Sequence, residues 1–149
     1  MIFAVLDTNI FLQGILSEGG PADSWLKLVF DGSIYLIVTD AVLDEVEDVI
    51  SRPSMVSKYS QLRTSRPRSM IEKIYSRAII AENPKRIFTF QRDPTDEIFI
   101  NLALANHADY LVSRDNDLMD LRSDSQFSSQ FPVLTIVTPV GFLEIVRTT

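Results

Sequence analysis

Short apolar runs that alternate with helically spaced segments place the strongest constraint on how this chain folds. Five such runs are predicted to be strands, at residues 3–6, 34–38, 86–90, 110–112 and 133–137. The segments between them carry apolar residues three or four positions apart, as at Val42, Val46 and Val49, which is the spacing of one helix face. Strands that alternate with helices require crossover connections, and these produce a mainly parallel sheet with helices on both faces. We therefore predict an α/β fold, a three-layer α/β/α sandwich around a mainly parallel central sheet of about five strands.

Length and composition narrow the class of protein. The 149 residues suffice for a core of ordinary size, so we predict a single domain spanning residues 1–149. No apolar run reaches the roughly 18 residues that a membrane-spanning helix needs, and no basic region precedes the N-terminal apolar run. We therefore expect a cytoplasmic protein with no membrane partner. The chain has no cysteine and one histidine, His107, which excludes thiolate nucleophiles, cysteine-ligated zinc and paired-histidine catalysis.

Acidic residues follow four of the predicted strands. Asp7 comes directly after the first strand, and further acids lie at residues 39–50, 93–99 and 113–118, after the next three strands. Because the carboxyl ends of parallel strands meet at one edge of a sheet, where α/β proteins bind ligands, we expect these carboxylates to lie close together. The alternative for Asp7 is purely structural, since it could simply cap the helix that begins near Ile10.

The acidic helix after the second strand offers two candidates for the site. Thr39 is the predicted N-cap of this helix. Glu45 and Glu47 border its apolar stripe symmetrically, so helix geometry does not choose between them. Asp44 and Asp48 point away from the stripe and are expected to lie in solvent.

The acids near the third and fourth strands also allow more than one assignment. In the stretch DPTDEIF, Asp93 is predicted to cap a helix whose first residue is Pro94. Asp96 then falls in the first helical turn, where it either interacts with the helix dipole or projects to the sheet edge as a metal ligand, and we favour the ligand. Asp115 directly follows the fourth strand, whereas Asp117 either caps the next helix or joins the site.

The crowded carboxylates and one basic segment together indicate a metal-dependent nuclease. Carboxylates at one sheet edge repel each other unless a cation neutralises them, and oxygen ligands without histidine or cysteine select Mg²⁺ or Mn²⁺ over zinc. The net charge is −6, yet residues 52–92 carry ten basic and two acidic side chains, which suit a polyanion on one side of the molecule. An ordinary solvated surface is the alternative for this segment. The candidate contacts to an RNA backbone are Arg52, Lys58, Arg63, Arg66 and Arg68.

With these residues in place, the sequence resembles the PIN domain family of metal-dependent ribonucleases, and within it the bacterial subgroup described as toxin components of toxin–antitoxin pairs. The resemblance covers nearly the whole chain and rests on four stretches in the family's order: VLDTNIF, TDAVLDEVEDVISRP, DPTDEIFINLALANHADYLVSRDNDL and VTPVGFLEIV. It assigns the catalytic, metal-binding acids to Asp7, Glu45, Asp96 and Asp115. It also implies that Asp117 is an additional metal ligand and that Asn9 and Ser113 support the site.

The resemblance also implies a fold, a reaction and partners. These are a three-layer α/β/α architecture, Mg²⁺ or Mn²⁺ in the acidic pocket, and hydrolysis of single-stranded RNA to 5′ phosphate and 3′ hydroxyl ends. A cognate antitoxin that inserts an arginine or lysine into the acidic groove is the implied protein partner, and homodimers are common in the family. Arg114 departs from the pattern, because close relatives often have glycine there. The alternative function is a catalytically silent PIN-like module that binds RNA or protein.

Overall fold

The computed structural model describes residues 1–148, and within that range the chain forms five β-strands, nine α-helices and one 3₁₀ turn. The strands are β1 (Phe3–Leu6), β2 (Tyr35–Thr39), β3 (Ile79–Ala81), β4 (Tyr110–Val112) and β5 (Thr135–Val137). The helices are α1 (Thr8–Leu16), α2 (Pro21–Phe30), α3 (Asp40–Ser51), α4 (Pro53–Lys58), α5 (Arg66–Arg77), α6 (Glu97–Ala105), α7 (Asn116–Arg122), α8 (Ser125–Gln130) and α9 (Pro139–Thr148). The 3₁₀ turn spans Ser60–Arg63.

All strand pairs in the sheet are parallel, and β1 lies at its centre in the order β3-β2-β1-β4-β5. In this register Ala4 pairs with Leu36 of β2 on one side and with Tyr110 of β4 on the other. Ala4, Val5 and Leu6 are buried, as expected for a strand that is covered on both faces. The sheet confirms the predicted α/β fold and its five parallel strands.

Helices cover both faces of the sheet and complete the three layers. α6 packs on β1, β2 and β4, and α7 packs on β5. On the opposite face α1 contacts α2, α3 and α5, while α2 contacts α9, as right-handed crossovers require. Trp25 of α2 and Phe142 of α9 meet edge to face, with ring centroids 5.8 Å apart. None of the helices in residues 1–148 is both long and apolar enough to cross a membrane.

The predicted strand at residues 86–90 is wrong, because the third strand is β3 and residues 86–90 belong to the loop that leads to α6. In this loop the backbone forms hydrogen bonds with a side chain instead of with a neighbouring strand. The Asn101 Oδ1 accepts hydrogen bonds from the N–H groups of Ile87 and Phe88, at 2.9 and 2.8 Å, and the Asn101 Nδ2 donates to the Phe88 carbonyl oxygen at 2.9 Å. Phe88 packs edge to face on Phe127 of α8. The apolar character of this segment therefore reflects an aromatic cluster beside α8.

Candidate active site

The candidate site lies at the carboxyl edge of the sheet, next to the central strand. β2 and β4 lie on opposite sides of β1, so the chain segments that follow β1 and β4 diverge at this edge. Open α/β sheets bind ligands at such a switch point. Asp7 follows β1 directly, and Ser113 and Asp115 follow β4. The topology therefore brings together polar residues that are more than a hundred positions apart in the chain.

Asp7 is a buried carboxylate that both caps a helix and faces the site. It is only 4% exposed. Its Oδ1 caps α1 by accepting a hydrogen bond from the Ile10 N–H at 3.1 Å, and its Oδ2 accepts one from the Ser113 hydroxyl. Burial raises the pKa of Asp7, and the hydrogen bonds from Ser113 and Ile10 oppose that rise. Asp7 is therefore an N-cap, as one alternative predicted, and it also lines the cleft described below.

Ser113 connects the two acids that follow β1 and β4. Its hydroxyl is buried, donates to Asp7, and accepts a hydrogen bond from the Asp115 N–H at 3.0 Å. The Asp115 Oδ1 in turn accepts from the N–H groups of Asp117 and Leu118, at 2.8 and 3.3 Å, and so caps α7. These bonds fix the positions of Asp7 and Asp115 relative to each other.

The turn before α6 places a third carboxylate beside Asp96 and Asp115. The prediction that Asp93 caps a helix starting at the next residue is wrong, because α6 begins at Glu97. Asp93 instead closes a turn by accepting from the Thr95 N–H at 3.1 Å and from the Thr95 hydroxyl at 2.6 Å. Asp93, Asp96 and Asp115 each offer one carboxylate oxygen, and these oxygens lie within 4.8 Å of one another. Asp93 was not predicted as a site residue, although aspartate two positions before threonine is a recognised turn signal.

Asp96 carries a carboxylate that the protein leaves unsatisfied. It occupies the N-cap position of α6 but its side chain makes no capping hydrogen bond, and its Oδ2 is buried without a partner. Burial raises the pKa of Asp96 to about 8, and a hydrogen bond to Asp93 and the negative charge of Asp115 contribute to the rise. A bound cation would supply the missing positive charge and favour the ionised form. The donors are all oxygens, which fits a hard divalent ion such as Mg²⁺ or Mn²⁺.

An open cleft of about 580 Å³, here called the acidic cleft, extends from these acids to α3. Asp7, Glu45 and Asp96 line it, and Asn9 lies at its side on the first turn of α1. Glu47 instead lines a separate groove between α3 and α5, here called the α3–α5 groove. The structure therefore brings Glu45, and not Glu47, to the cleft that contains Asp7 and Asp96.

Asp117 interacts with an arginine and lies outside the group of close carboxylates. Its Oδ1 lies 2.6 Å from the Nε of Arg92, and the Nη2 of Arg92 lies 2.6 Å from the Oδ2 of Asp120. The alternative in which Asp117 caps α7 is wrong, because Asp115 is the cap. Within residues 1–148 the structure does not bring Asp117 into the group formed by Asp93, Asp96 and Asp115.

A second cavity of about 340 Å³ adjoins the acidic cleft and shares Asp7, Asn9 and Leu12 with it. The segment after β4 contributes two residues of opposite charge, Arg114 and Asp115. The remaining walls come from α1, α4 and the residue after α4, and consist of Gln13, Leu16, Met55 and Tyr59.

Arg66 has a structural role, which contrasts with its predicted contact to RNA. Its side chain is 18% exposed and its Nη2 lies 3.0 Å from the Asp23 Oδ1, on a side chain that is 1% exposed. The same Nη2 donates to the Gly14 carbonyl oxygen at 2.7 Å, and the Nε donates to the Ile15 carbonyl oxygen at 2.9 Å. The guanidinium is therefore occupied by a buried carboxylate and by two carbonyls near the end of α1.

The other four predicted RNA contacts are exposed but divide between two surfaces. Arg68 lines the α3–α5 groove, away from the acidic cleft. Lys58 and Arg63 belong to the short segment formed by α4 and the 3₁₀ turn, and Tyr59 of this segment lines the second cavity. Arg52 precedes α4, and its Nη2 lies 2.7 Å from the Asp48 Oδ2 on α3. Lys58 holds its Nζ 5.2 Å from the centre of the Tyr59 ring. Lys58 and Arg63 thus belong to a segment that borders the site.

Comparisons with known proteins agree with this architecture. The sequence profile of the PIN domain matches residues 4–117. An uncharacterized protein of Methanocaldococcus jannaschii is 28% identical over 144 residues, which cover 96% of this chain and 90% of that protein. The fold is similar to that in the crystal structure of VapBC2 from Rickettsia felis bound to a DNA fragment from their promoter, with a TM-score of 0.56 and 16% identity. That match covers 92% of this chain and 98% of the other, and at this identity it shows a shared fold.

Proposed function

Because the chain belongs to the PIN domain family, we propose that it is a Mg²⁺- or Mn²⁺-dependent endoribonuclease that hydrolyses single-stranded RNA to 5′ phosphate and 3′ hydroxyl ends. One observation carries the proposal. The carboxylates of Asp93, Asp96 and Asp115 crowd within 4.8 Å of one another, and the Asp96 Oδ2 is buried without a partner. A protein that needed these acids only for its own stability would gain nothing from such repulsion.

The metal would be held by Asp96 and Asp115, which form the close group with Asp93, and by Asp7 and Glu45, which line the acidic cleft together with Asp96. Such an ion supplies an activated water and neutralises the charge that develops on the scissile phosphate. Asp7 and Glu45 lie outside the close group, and because Mg²⁺ keeps several of its waters in proteins, they would be reached through such waters. We leave Asp117 out of the ligand set because its carboxylate is paired with Arg92.

The protein's own residues have three tasks in this proposal. Ser113 holds the Asp7 carboxylate and the Asp115 backbone in place, so that the acids keep their spacing when RNA binds. Asn9 lies where the acidic cleft and the second cavity meet, and it can donate a hydrogen bond to the substrate there. Lys58 and Arg63 supply positive charge to the RNA backbone, and Arg52 adds to it when a phosphate replaces its present partner Asp48. This binding should weaken steeply as salt increases.

Partners and location complete the proposal. The resemblance to toxin components leads us to propose a cognate antitoxin that places an arginine or lysine side chain among the acids of the cleft. Such a side chain would satisfy the Asp96 Oδ2 as a metal does, and would therefore compete with it. We also propose that the protein is cytoplasmic and acts as a homodimer.

Cleavage of a labelled, unstructured RNA tests the proposed function. Wild type, Asp96→Asn and Asp44→Asn are compared in Mn²⁺, in Mg²⁺ and in EDTA, and Asp44 serves as the matched control because it is exposed on α3 and lines neither cavity. Wild type and Asp44→Asn should cleave with metal and not in EDTA. Asp96→Asn should be slower by at least about 100-fold, since even outer-shell partners of a metal are worth roughly 10- to 100-fold.

Two outcomes would contradict the proposal. Equal cleavage by Asp96→Asn would place the chemistry elsewhere in the molecule or in a contaminant. An inert wild type that binds RNA but neither Mn²⁺ nor Mg²⁺ would favour the alternative, a catalytically silent module that binds RNA or protein.

A further inference from the structure

We propose that the second cavity is a nucleobase subsite, which receives the base of the nucleotide adjoining the scissile phosphate. The proposal deepens the proposed function and rests on it. The cavity shares Asp7 and Asn9 with the acidic cleft and includes Asp115 in its wall. A nucleotide whose phosphate lies at the acids would therefore have its base within reach of the cavity.

The walls of the second cavity have the chemistry that single-stranded RNA requires. The Tyr59 ring offers an aromatic surface, and bases of single-stranded RNA are commonly held by stacking on such rings. Met55 and Leu16 add apolar contact surface on the sides. The volume of about 340 Å³ lies near the lower end of the roughly 300–1,000 Å³ seen for small-ligand pockets, which suits one planar base.

An unsatisfied acceptor gives the second cavity a way to read the edge of a base. The Oε1 of Gln13 is buried and has no hydrogen-bond partner, and Gln13 lines this cavity. Within residues 1–148 four buried side-chain polar atoms lack a partner, and three of them belong to residues that line the acidic cleft or the second cavity: Thr8, Gln13 and Asp96. Thr8 and Asp96 line the acidic cleft, and Gln13 lines the second cavity. Unsatisfied buried groups are rare and costly, so their occurrence along these two adjoining sites points to a polar ligand that spans both. The N–H groups on base edges are donors of the kind that Gln13 lacks, and a rotation of its side-chain amide would turn the buried Oε1 toward a base in the cavity.

Positive charge lies at the same cavity. The Lys58 Nζ lies 5.2 Å from the centre of the Tyr59 ring. Arg114 lines the cavity, is exposed, and has no ion pair or hydrogen bond within the described part of the chain. Beside the acids that would hold a metal, a nucleotide thus meets an aromatic ring, an amide and the guanidinium of Arg114, and Lys58 lies against the same ring. These side chains suit a nucleotide, which has a planar base and a phosphate, better than they suit an acidic or apolar peptide.

Mapping of cleavage sites tests the subsite directly. RNA with a randomised central stretch is digested in Mn²⁺ by wild type, Tyr59→Ala, Tyr59→Phe and Gln13→Ala, and the products are sequenced. The matched controls are Tyr75→Ala and Gln126→Ala, two exposed residues that line neither the acidic cleft nor the second cavity. Wild type should prefer certain bases at one position adjoining the cut, and Gln13→Ala should reduce that preference to within about twofold.

Binding measured without cleavage gives a second, independent readout. Short RNAs are titrated in EDTA, and the same RNA lacking one base is titrated beside them. Tyr59→Ala should weaken binding by roughly 5- to 160-fold, the loss expected for one base–aromatic stack, while Tyr59→Phe and both controls should bind like wild type. For Tyr59→Ala the RNA that lacks the base should bind as well as the complete RNA.

The combined outcomes separate this inference from the proposed function. If wild type cleaves, and the Tyr59 and Gln13 variants keep both its base preference and its affinity, the subsite is refuted and a side chain of a partner protein becomes the better occupant. If wild type does not cleave but the Tyr59 and Gln13 variants lose RNA affinity, the cavity binds a base as proposed, and the nuclease is refuted together with the placement of that base beside a scissile phosphate. If wild type neither cleaves nor binds RNA, both are refuted.

Discussion

Replacing Asp96 by asparagine should stabilise the metal-free protein at neutral pH while it removes activity. Asparagine has nearly the same shape and cannot ionise, and its Nδ2 can still donate a hydrogen bond to Asp93. The side chain of Asp96 does not cap α6, so no capping interaction is lost. What asparagine removes is the cost of keeping the Asp96 carboxyl protonated in the folded protein at a pH where the unfolded chain would release the proton.

The magnitude follows from the raised pKa of Asp96. An unperturbed aspartate loses its proton near pH 3.8, whereas Asp96 in the folded protein keeps it up to about pH 8. Between these values the unfolded chain binds fewer protons, so the free energy of unfolding falls as pH rises. At pH 7 the unfolded chain is roughly three pH units above its aspartate pKa, so the proton held by Asp96 in the folded protein lowers the free energy of unfolding by about 4 kcal/mol. The side chain is partly exposed to solvent, which reduces this cost to about 2 kcal/mol. Asp96→Asn should recover that amount, or roughly 4–8 °C in Tm.

Urea unfolding in EDTA, near pH 5 and near pH 8, measures this difference. The free energy of unfolding of Asp96→Asn should exceed that of wild type by more near pH 8 than near pH 5. Asp44→Asn, on the exposed face of α3, should have the same free energy of unfolding as wild type at both pH values. Saturating Mn²⁺ should reverse the order, since binding at about 100 times Kd stabilises wild type by about 2.7 kcal/mol. A gain that does not change with pH, or a variant less stable than wild type at both, would refute the reasoning about Asp96.

Three further predictions concern single side chains. Arg66→Ala should lower the free energy of unfolding by about 2 kcal/mol in urea titrations. It removes one of the two cations paired with the buried Asp23 carboxylate, which keeps Lys27 at 3.4 Å, and it leaves the Gly14 and Ile15 carbonyls without this donor. Exposed Arg68→Ala should change the free energy by less than about 0.5 kcal/mol, and equal effects would contradict the structural role of Arg66. Asp7→Ala should cost about 1 kcal/mol through loss of the α1 cap and should abolish RNA cleavage, so an active variant would exclude Asp7 from the site. Arg114→Ala should weaken RNA binding by a similar factor for all RNA sequences. In anisotropy titrations it should also reduce the slope of log affinity against log salt concentration by about 1. An unchanged slope would show that Arg114 contacts no phosphate.

Most of the sheet could be predicted from the sequence, because buried parallel strands are continuous apolar runs that end in polar residues. This pattern located β1 and β4 at their observed positions, and it placed Thr39 as the cap of α3, where its Oγ1 accepts from the Val42 N–H at 3.2 Å. It failed for β3, whose Ile79 and Ile80 are 41% and 42% exposed on an edge strand of three residues. Residues 86–90 were predicted as this strand instead. Their local sequence does not reveal that the distant side chain of Asn101 accepts hydrogen bonds from their backbone N–H groups.

The site was less predictable than the sheet, because its geometry depends on contacts between distant segments. Helix periodicity left Glu45 and Glu47 equivalent, and only the packing of α3 in the tertiary structure turns Glu45 toward the acidic cleft. Asp93 was assigned to a helix that begins three residues later than predicted. Arg66 looked like its exposed neighbours in sequence, yet the buried Asp23 of another helix holds it.

End-group analysis of the cleavage products tests the central claim most directly. The claim is that the acids at the sheet edge direct water at the scissile phosphate, so the RNA 2′-hydroxyl takes no part in bond breaking. An RNA with one 2′-deoxynucleotide at the mapped cleavage position is digested in Mn²⁺, and the ends of its fragments are identified by mass spectrometry. We predict continued cleavage with 5′ phosphate and 3′ hydroxyl ends. Loss of cleavage at that position, or 2′,3′-cyclic phosphate and 5′ hydroxyl ends from the unmodified RNA, would contradict the account.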